Sequence, residues 1–337
     1  MGKKIIQVYL ALSLVTVAAA ALSGSVSAQT TLLREKAYGA AGLDRMRIQL
    51  EFLTDSICGG RATGTAGSSE TIFWLNRRFR KIGLLPMLES GYVQGFDTQV
   101  GPRGHNVIGM MSGGREGNDS YVVVMAHFDG LGKLEGKLYP GADSNASGVV
   151  CMLSAAEMLK KMKGFKTNYK RNFIFVGLDA KGMGMAGAYS LWDEIASGKL
   201  IDPVSGLAVT PEKIALVINI DQIGCSMSPL KKGWTQYMIV LGLAGNEPLK
   251  NKLTRCNLRY DVGIDLAFDY YGSRDFTELF LRKVSEQRVF LENGVPAILL
   301  TSGLTMNNNK PYDNVESLNL RVLHRRTMLL FHWLENI

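Results

Sequence analysis

Six apolar runs, at residues 106–111, 121–126, 173–178, 215–220, 238–241 and 297–301, recur along the chain with helical stretches between them. Several lack the in–out alternation of a half-buried strand, and a continuously apolar strand belongs in a sheet covered on both faces. Ile72, Leu75, Phe79 and Ile82, and again Val149, Leu153, Ala156 and Leu159, fall at helical spacing, and residues 318–334 read as a closing helix. This order predicts a three-layer α/β/α fold with a central, mostly parallel mixed sheet. Ligands bind such sheets beyond the carboxyl ends of the strands. The segments AHFDG (126–130), FIFVGLDAKG (173–182) and NIDQIG (219–224) all place polar residues there.

Of the 337 residues, 46% are hydrophobic and 20% charged, which suits one large α/β domain. Past the N-terminus no segment is apolar enough to span a bilayer. The N-terminus runs MGKK, then an apolar stretch at 5–22, then small residues with Val26 and Ala28 placed for signal-peptidase cleavage. A signal peptide at 1–28 and a single domain at 29–337 are therefore expected, with the chain exported to the periplasm or secreted, or held by an uncleaved leader. Losing the leader removes Lys3 and Lys4 and lowers the formal net charge from +8 to +6. That is too mild for a nucleic-acid-binding chain, and no membrane contact is expected beyond the leader. Cys58, Cys151, Cys225 and Cys256 are widely spaced without a CxxC, which argues against a thiolate zinc cluster. Three disulfide connectivities stay open in an exported chain, although Cys151 and Cys225 lie in apolar surroundings that suit buried free thiols.

His127 follows the second apolar run, Asp129 comes two residues later, and Asp143 sits in the glycine-bounded loop PGADSNASG (140–148). Imidazole and carboxylate are the donors a borderline or hard cation takes. A carboxylate behind a ligating imidazole fixes its tautomer and raises its basicity. The same residues also make sense as a hydrogen-bonded pair without metal.

Together with GGRATGTAG (59–67), HNVIGM (105–110), FLENGVPAILLTSG (290–303) and NKPYDNVESL (309–318), these stretches resemble, in order and spacing, the secreted zinc aminopeptidase family. That family includes bacterial leucyl aminopeptidases and the related glutaminyl cyclases, and the resemblance covers nearly all of the mature chain. It implies a zinc-exopeptidase fold. It also implies a first zinc position at His127, Asp221 and a bridging Asp143, with Asp129 orienting the histidine.

The remainder of the family pattern is altered. Its paired glutamates, one the general base and one a ligand, fall on Lys181 and Gly182, and its late histidine on Asn309. A protonated lysine cannot take a proton from water, glycine offers no donor, and asparagine is a poor zinc ligand. Ser285-Glu286-Gln287 stands where the family has Ser-Asp-His. The charged stretch from Asp269 to Lys283 reads as an insertion at the entrance or as a solvated helix carrying Phe276, Leu279, Phe280 and Lys283. Glu278, Glu286 and Glu292 are expected outside the strand-end site, and His105, His324 and His332 are assigned no role. The single-metal set of glutaminyl cyclases is disfavoured, because it needs the missing glutamate and late histidine.

Three functions are compatible with this pattern. One is a catalytically impaired aminopeptidase-like protein that keeps a pocket for a peptide or small amine. A second is a hydrolase with a single zinc, and a third is an interaction protein with a vestigial pocket. At most one zinc ion is expected, at His127, Asp143 and Asp221. Lys181 is expected to fill the vacated half of the site and pair with Asp143, because converging carboxylates without a cation must be protonated, separated or compensated.

Overall fold

The six apolar runs are all strands, within two residues of their expected ends. They are seen in a computed structural model that describes residues 31–99, 101–115, 117–165, 168–226 and 230–337. The leader expected at 1–28 lies outside these residues. A nine-stranded sheet contains β1 (Leu85–Pro86), β2 (Val93–Phe96), β3 (Gly104–Met111), β4 (Tyr121–His127), β7 (Asn172–Leu178), β8 (Ile214–Ile220), β9 (Tyr237–Leu241), β10 (Asp265–Ala267) and β11 (Ala297–Thr301). Its order is β1-β3-β7-β4-β8-β11-β9-β10, with β2 also paired to β3. β7, β4, β8 and β11 run parallel at the centre, while β3 and β9 flank them antiparallel. Two short strands, β5 (Gly132–Leu134) and β6 (Lys137–Tyr139), form a separate hairpin.

Alternate residues of β4 enter different cores, as period-two geometry requires. Val122, Val124 and Ala126 pack with Leu153 and Leu159 of α3 (Ser147–Gly164) and with Leu330 of α8 (Leu320–Asn336). On the same face lie α1 (Leu43–Thr54), α2 (Ala66–Ile82) and α5 (Glu247–Arg259). Tyr121, Val123 and Met125 pack instead with Leu191 of α4 (Ala186–Ala196) and Phe290 of α7 (Gln287–Glu292). The expected three layers are therefore present. Helix ends carry their own signals. The Thr65 side chain accepts from Ser68 N at the start of α2, whose end is Gly83 in the left-handed region, and Asn319 caps α8 by accepting from Val322 N.

The parallel register positions the site. His127 pairs with Leu178 of β7, and Met125 pairs with Asn219 of β8. Three adjacent strands thus end at one level, and the residues just past or at those ends are Lys181, His127 and Asp221. All four cysteines are buried and free, as expected for Cys151 and Cys225. Among the described residues, no helix is long and apolar enough to cross a membrane.

Candidate functional site

His127 is fixed by what lies on both sides of its ring. Its Nδ1 lies 3.1 Å from the Asp129 carbonyl oxygen and 3.3 Å from Asp129 Oδ1. Its Nε2 faces Asp221 Oδ1 at 3.4 Å and Lys181 Nζ at 3.2 Å. Burial is the largest influence on this imidazole and lowers its pKa, and the Lys181 charge lowers it further. Glu286 and the hydrogen bonds to Asp129 and Asp221 outweigh both, and the pKa is pushed up to about 9.

Lys181 occupies the gap between these groups. Its ammonium donates to Asp221 Oδ2 and lies 3.9 Å from Glu286 Oε2. Burial pulls the Lys181 pKa down, but the charges of Asp221 and Glu286 prevail and raise it. Asp221 is the mirror case. Burial disfavours its charge, yet Lys181 and His127 hold its carboxyl well below the usual range. The sequence reading placed Lys181 opposite Asp143; the structure corrects the partner to Asp221. The reason is strand geometry, since Lys181 and Asp221 leave β7 and β8 on either side of His127, whereas Asp143 comes from the loop after β6.

Asp143 is compensated differently. Its Oδ1 accepts from Gly224 N at 2.7 Å, Cys225 N at 3.3 Å and Ser147 Oγ at 3.1 Å. Its Oδ2 is buried and has no hydrogen-bond partner among the described residues. Burial raises its pKa against those donors. The loop that carries it is tied down by Asp313, whose carboxylate accepts from Asp143 N at 2.7 Å and Ser144 N at 3.0 Å. Burial, added to the repulsion of Asp143, pushes the Asp313 carboxyl up to about 6. Gly224 is required at its position, because a Cβ there would stand 2.8 Å from Ser147 Cβ and 3.1 Å from Asp143 Oδ1.

Glu286 was expected outside the site, and here too the structure differs. It precedes α7, is buried, and joins Lys181 through a chain of polar groups. Ser285 Oγ lies 2.7 Å from Asp221 Oδ2 and 2.5 Å from Glu286 Oε2. Asn219 Nδ2 donates to Ser285 Oγ at 2.9 Å and to Gln287 Oε1 at 2.8 Å. Asn219 and Asp221 are two residues apart at the end of β8, so both project to this side. The departure from Ser-Asp-His at 285–287 was the signal in the sequence for this cluster.

Two buried arginines, Arg61 and Arg326, also escaped the sequence reading, although Arg61 lies in GGRATGTAG. Arg61 donates to the carbonyls of Phe128 at 2.6 Å, Pro140 at 2.6 Å and Gly141 at 2.8 Å, linking the His127 loop to the Asp143 loop. Arg326 donates to the carbonyls of Ile223 and Cys225, both at 2.6 Å, just beyond Asp221.

The charged cluster forms one end of a cavity of about 360 Å³. Phe280, Leu299 and Leu304 make an apolar wall, and Gln222, Asn308 and Asn309 an amide wall. Phe276 and Leu279 of α6 (Arg274–Leu279) are exposed, while Phe280 reaches the cavity, so the charged stretch is a helix at the rim. Gly182 and Asn309 also line the cavity, and Gly182 N donates to Asp129 Oδ2 at 3.4 Å. The glutamates Glu278 and Glu292 pair with Arg282 and Arg288.

In this arrangement the residues do not fit a zinc ion. The Asp221 carboxylate and His127 Nε2, which would be donors, face an ammonium, and Asp143 turns Oδ1 to backbone amides. Among the described residues no group of three or more His, Cys, Asp and Glu side chains is arranged to hold a metal.

The fold and the position of the cavity define the class: an α/β protein with the architecture of the zinc exopeptidases. Residues 106–334 match the sequence profile of peptidase family M28, and the chain belongs to that family. Solved structures agree in fold. The Legionella pneumophila LapA aminopeptidase is 17% identical, with a TM-score of 0.64 over 89% of this chain and 73% of that one. BSAP, a zinc aminopeptidase from Bacillus subtilis, is 14% identical, with a TM-score of 0.61 over 87% and 94%. Porphyromonas gingivalis glutaminyl cyclase is 17% identical, with a TM-score of 0.61 over 87% and 97%. No curated protein sequence matches the chain significantly.

Proposed function

We propose that this chain is an exported, catalytically impaired aminopeptidase-like protein that binds a peptide or small amine without cleaving it. One observation carries the reading: the Lys181 ammonium bonds Asp221 and stands 3.2 Å from His127 Nε2, where the family pattern calls for a general base beside metal-bound water. An ammonium so paired has no lone pair with which to take a proton. The ligand class follows from the cavity. Asp129, Asp221 and Glu286 outnumber Lys181 and His127, so the charged end favours an ammonium group, and the wall of Phe280, Leu299 and Leu304 favours an apolar side chain.

A hydrolase with a single metal ion is the competing reading, and the unpartnered Asp143 Oδ2 favours it. Metal analysis of protein purified without chelator, with hydrolysis of leucyl and alanyl anilides, separates the two. The expected result is less than one zinc per chain and turnover at least ~10²-fold below an intact relative, the low end of what a positioned acid–base group supplies. Two ions per chain, or zinc-dependent turnover abolished by His127→Ala, would overturn the proposal.

A further inference from the structure

Away from the cavity, α5 carries Lys252, Arg255 and Arg259 at spacings of three and four residues, which places them along one helical face. Burial, with the added charges of Lys170, Arg171 and Arg255, lowers the Lys252 pKa, so these cations lie close enough to act on one another. A minority of the surface cations are ion-paired, as in Arg282–Glu278, Arg288–Glu292 and Lys250–Glu247. None of Lys170, Arg171, Lys252, Arg255 and Arg259 has an ion-pair partner among the described residues. Leu258, in the same turn, is 75% exposed. Unpaired like charges around an exposed leucine raise the energy of the free surface and are relieved by a polyanion with an apolar interior beneath it.

Where the chain enters this region points to the kind of polyanion. Arg34 and Arg259 both stand 5.7 Å from the centre of the Tyr260 ring, so the helix at 31–38 lies beside the end of α5. Arg34 pairs with Glu335, near the end of α8, while His324, near its start, contacts the Ala41 carbonyl oxygen at 2.7 Å. Residue 31 therefore lies on the basic side, joined through residues 23–30 to the apolar run at 5–22. Lys170 and Arg171 immediately precede β7, at the opposite end of that strand from Lys181. A surface bound there leaves the cavity facing away.

We infer that this basic face docks on the headgroups of an anionic bilayer, which extends lipid contact beyond the leader to the folded domain. The full chain, mixed with vesicles of phosphatidylcholine alone or with 30% phosphatidylglycerol, tests this by co-sedimentation, because the apolar leader acts on both compositions and only the difference reports the basic face. Roughly fivefold partitioning per cation near the surface gives an expected loss on the order of 10²-fold for Lys252→Glu/Arg255→Glu/Arg259→Glu on the anionic vesicles. High salt is expected to do the same. Arg255→Glu alone, a surface change checked for unaltered circular dichroism and melting, is expected to lose a smaller share. Equal binding to both compositions, an undiminished triple variant, or tighter binding of a 20-nucleotide DNA than of anionic vesicles that is lost in the same variant would overturn the inference.

Discussion

Asp221 and Asp143 belong to neighbouring loops of one site and are stabilised in opposite ways. Asp221 remains a carboxylate because a lysine and a histidine surround it, whereas Asp143 is bonded by two backbone N–H groups and a serine hydroxyl, and its second oxygen has no partner among the described residues. The first corner is an ion-pair cluster and the second a backbone cradle. Losing a counter-charge should therefore matter at one corner far more than at the other.

The sharpest break in this contrast comes from Lys181→Met, which keeps the length of the side chain and removes the charge. Cutting one member out of a buried pair leaves an uncompensated charge, and a loss of about 3–5 kcal/mol in urea unfolding is expected. A loss under about 1 kcal/mol would show that Lys181 is not what compensates Asp221. Combining it with Asp221→Asn should cost less than the sum of the two single changes, since both remove the same interaction.

Asp143→Asn addresses the cradle. An amide oxygen can still accept from Gly224 N, so the change should cost on the order of 1 kcal/mol or less. A cost equal to that of Lys181→Met would erase the difference between the corners.

A third test concerns pH. His127 has a folded pKa of about 9 against an ordinary 6.5. A raised pKa contributes stability that is complete below 6.5 and is lost as pH rises through 9, because over that range the folded chain binds the extra proton. Stability should accordingly decline from pH 6.5 to 9, and His127→Gln should flatten that decline. An equal slope in both proteins would mean that another group carries it.

Six of the eleven strands could be read from the sequence because each is a largely apolar run, and the doubly covered sheet leaves little else for such runs to do; their order in the sheet could not. The placement of His127, Lys181 and Asp221 at or within three residues of a strand end was legible for the same reason, while the roles of Lys181 and Asp221 came from the family resemblance. The partner of Lys181 was not legible, since a lysine can swing toward any nearby carboxylate and only strand order puts Asp221 nearer than Asp143. Glu286 was hidden more deeply. It precedes a short helix in a charged stretch, and its burial depends on Asn219 and Ser285, which come together only in the folded chain.

Gly182 and Asn309 are the positions at which the proposed reading can be run backwards. A Cβ built on Gly182 meets nothing within 4 Å. Asn309 has a φ of 57°, in a region that asparagine and histidine both tolerate better than most residues. On the proposed reading, the route back to a fuller set of donors runs through Gly182→Glu, which enters open space, and Asn309→His, at a backbone conformation that histidine tolerates.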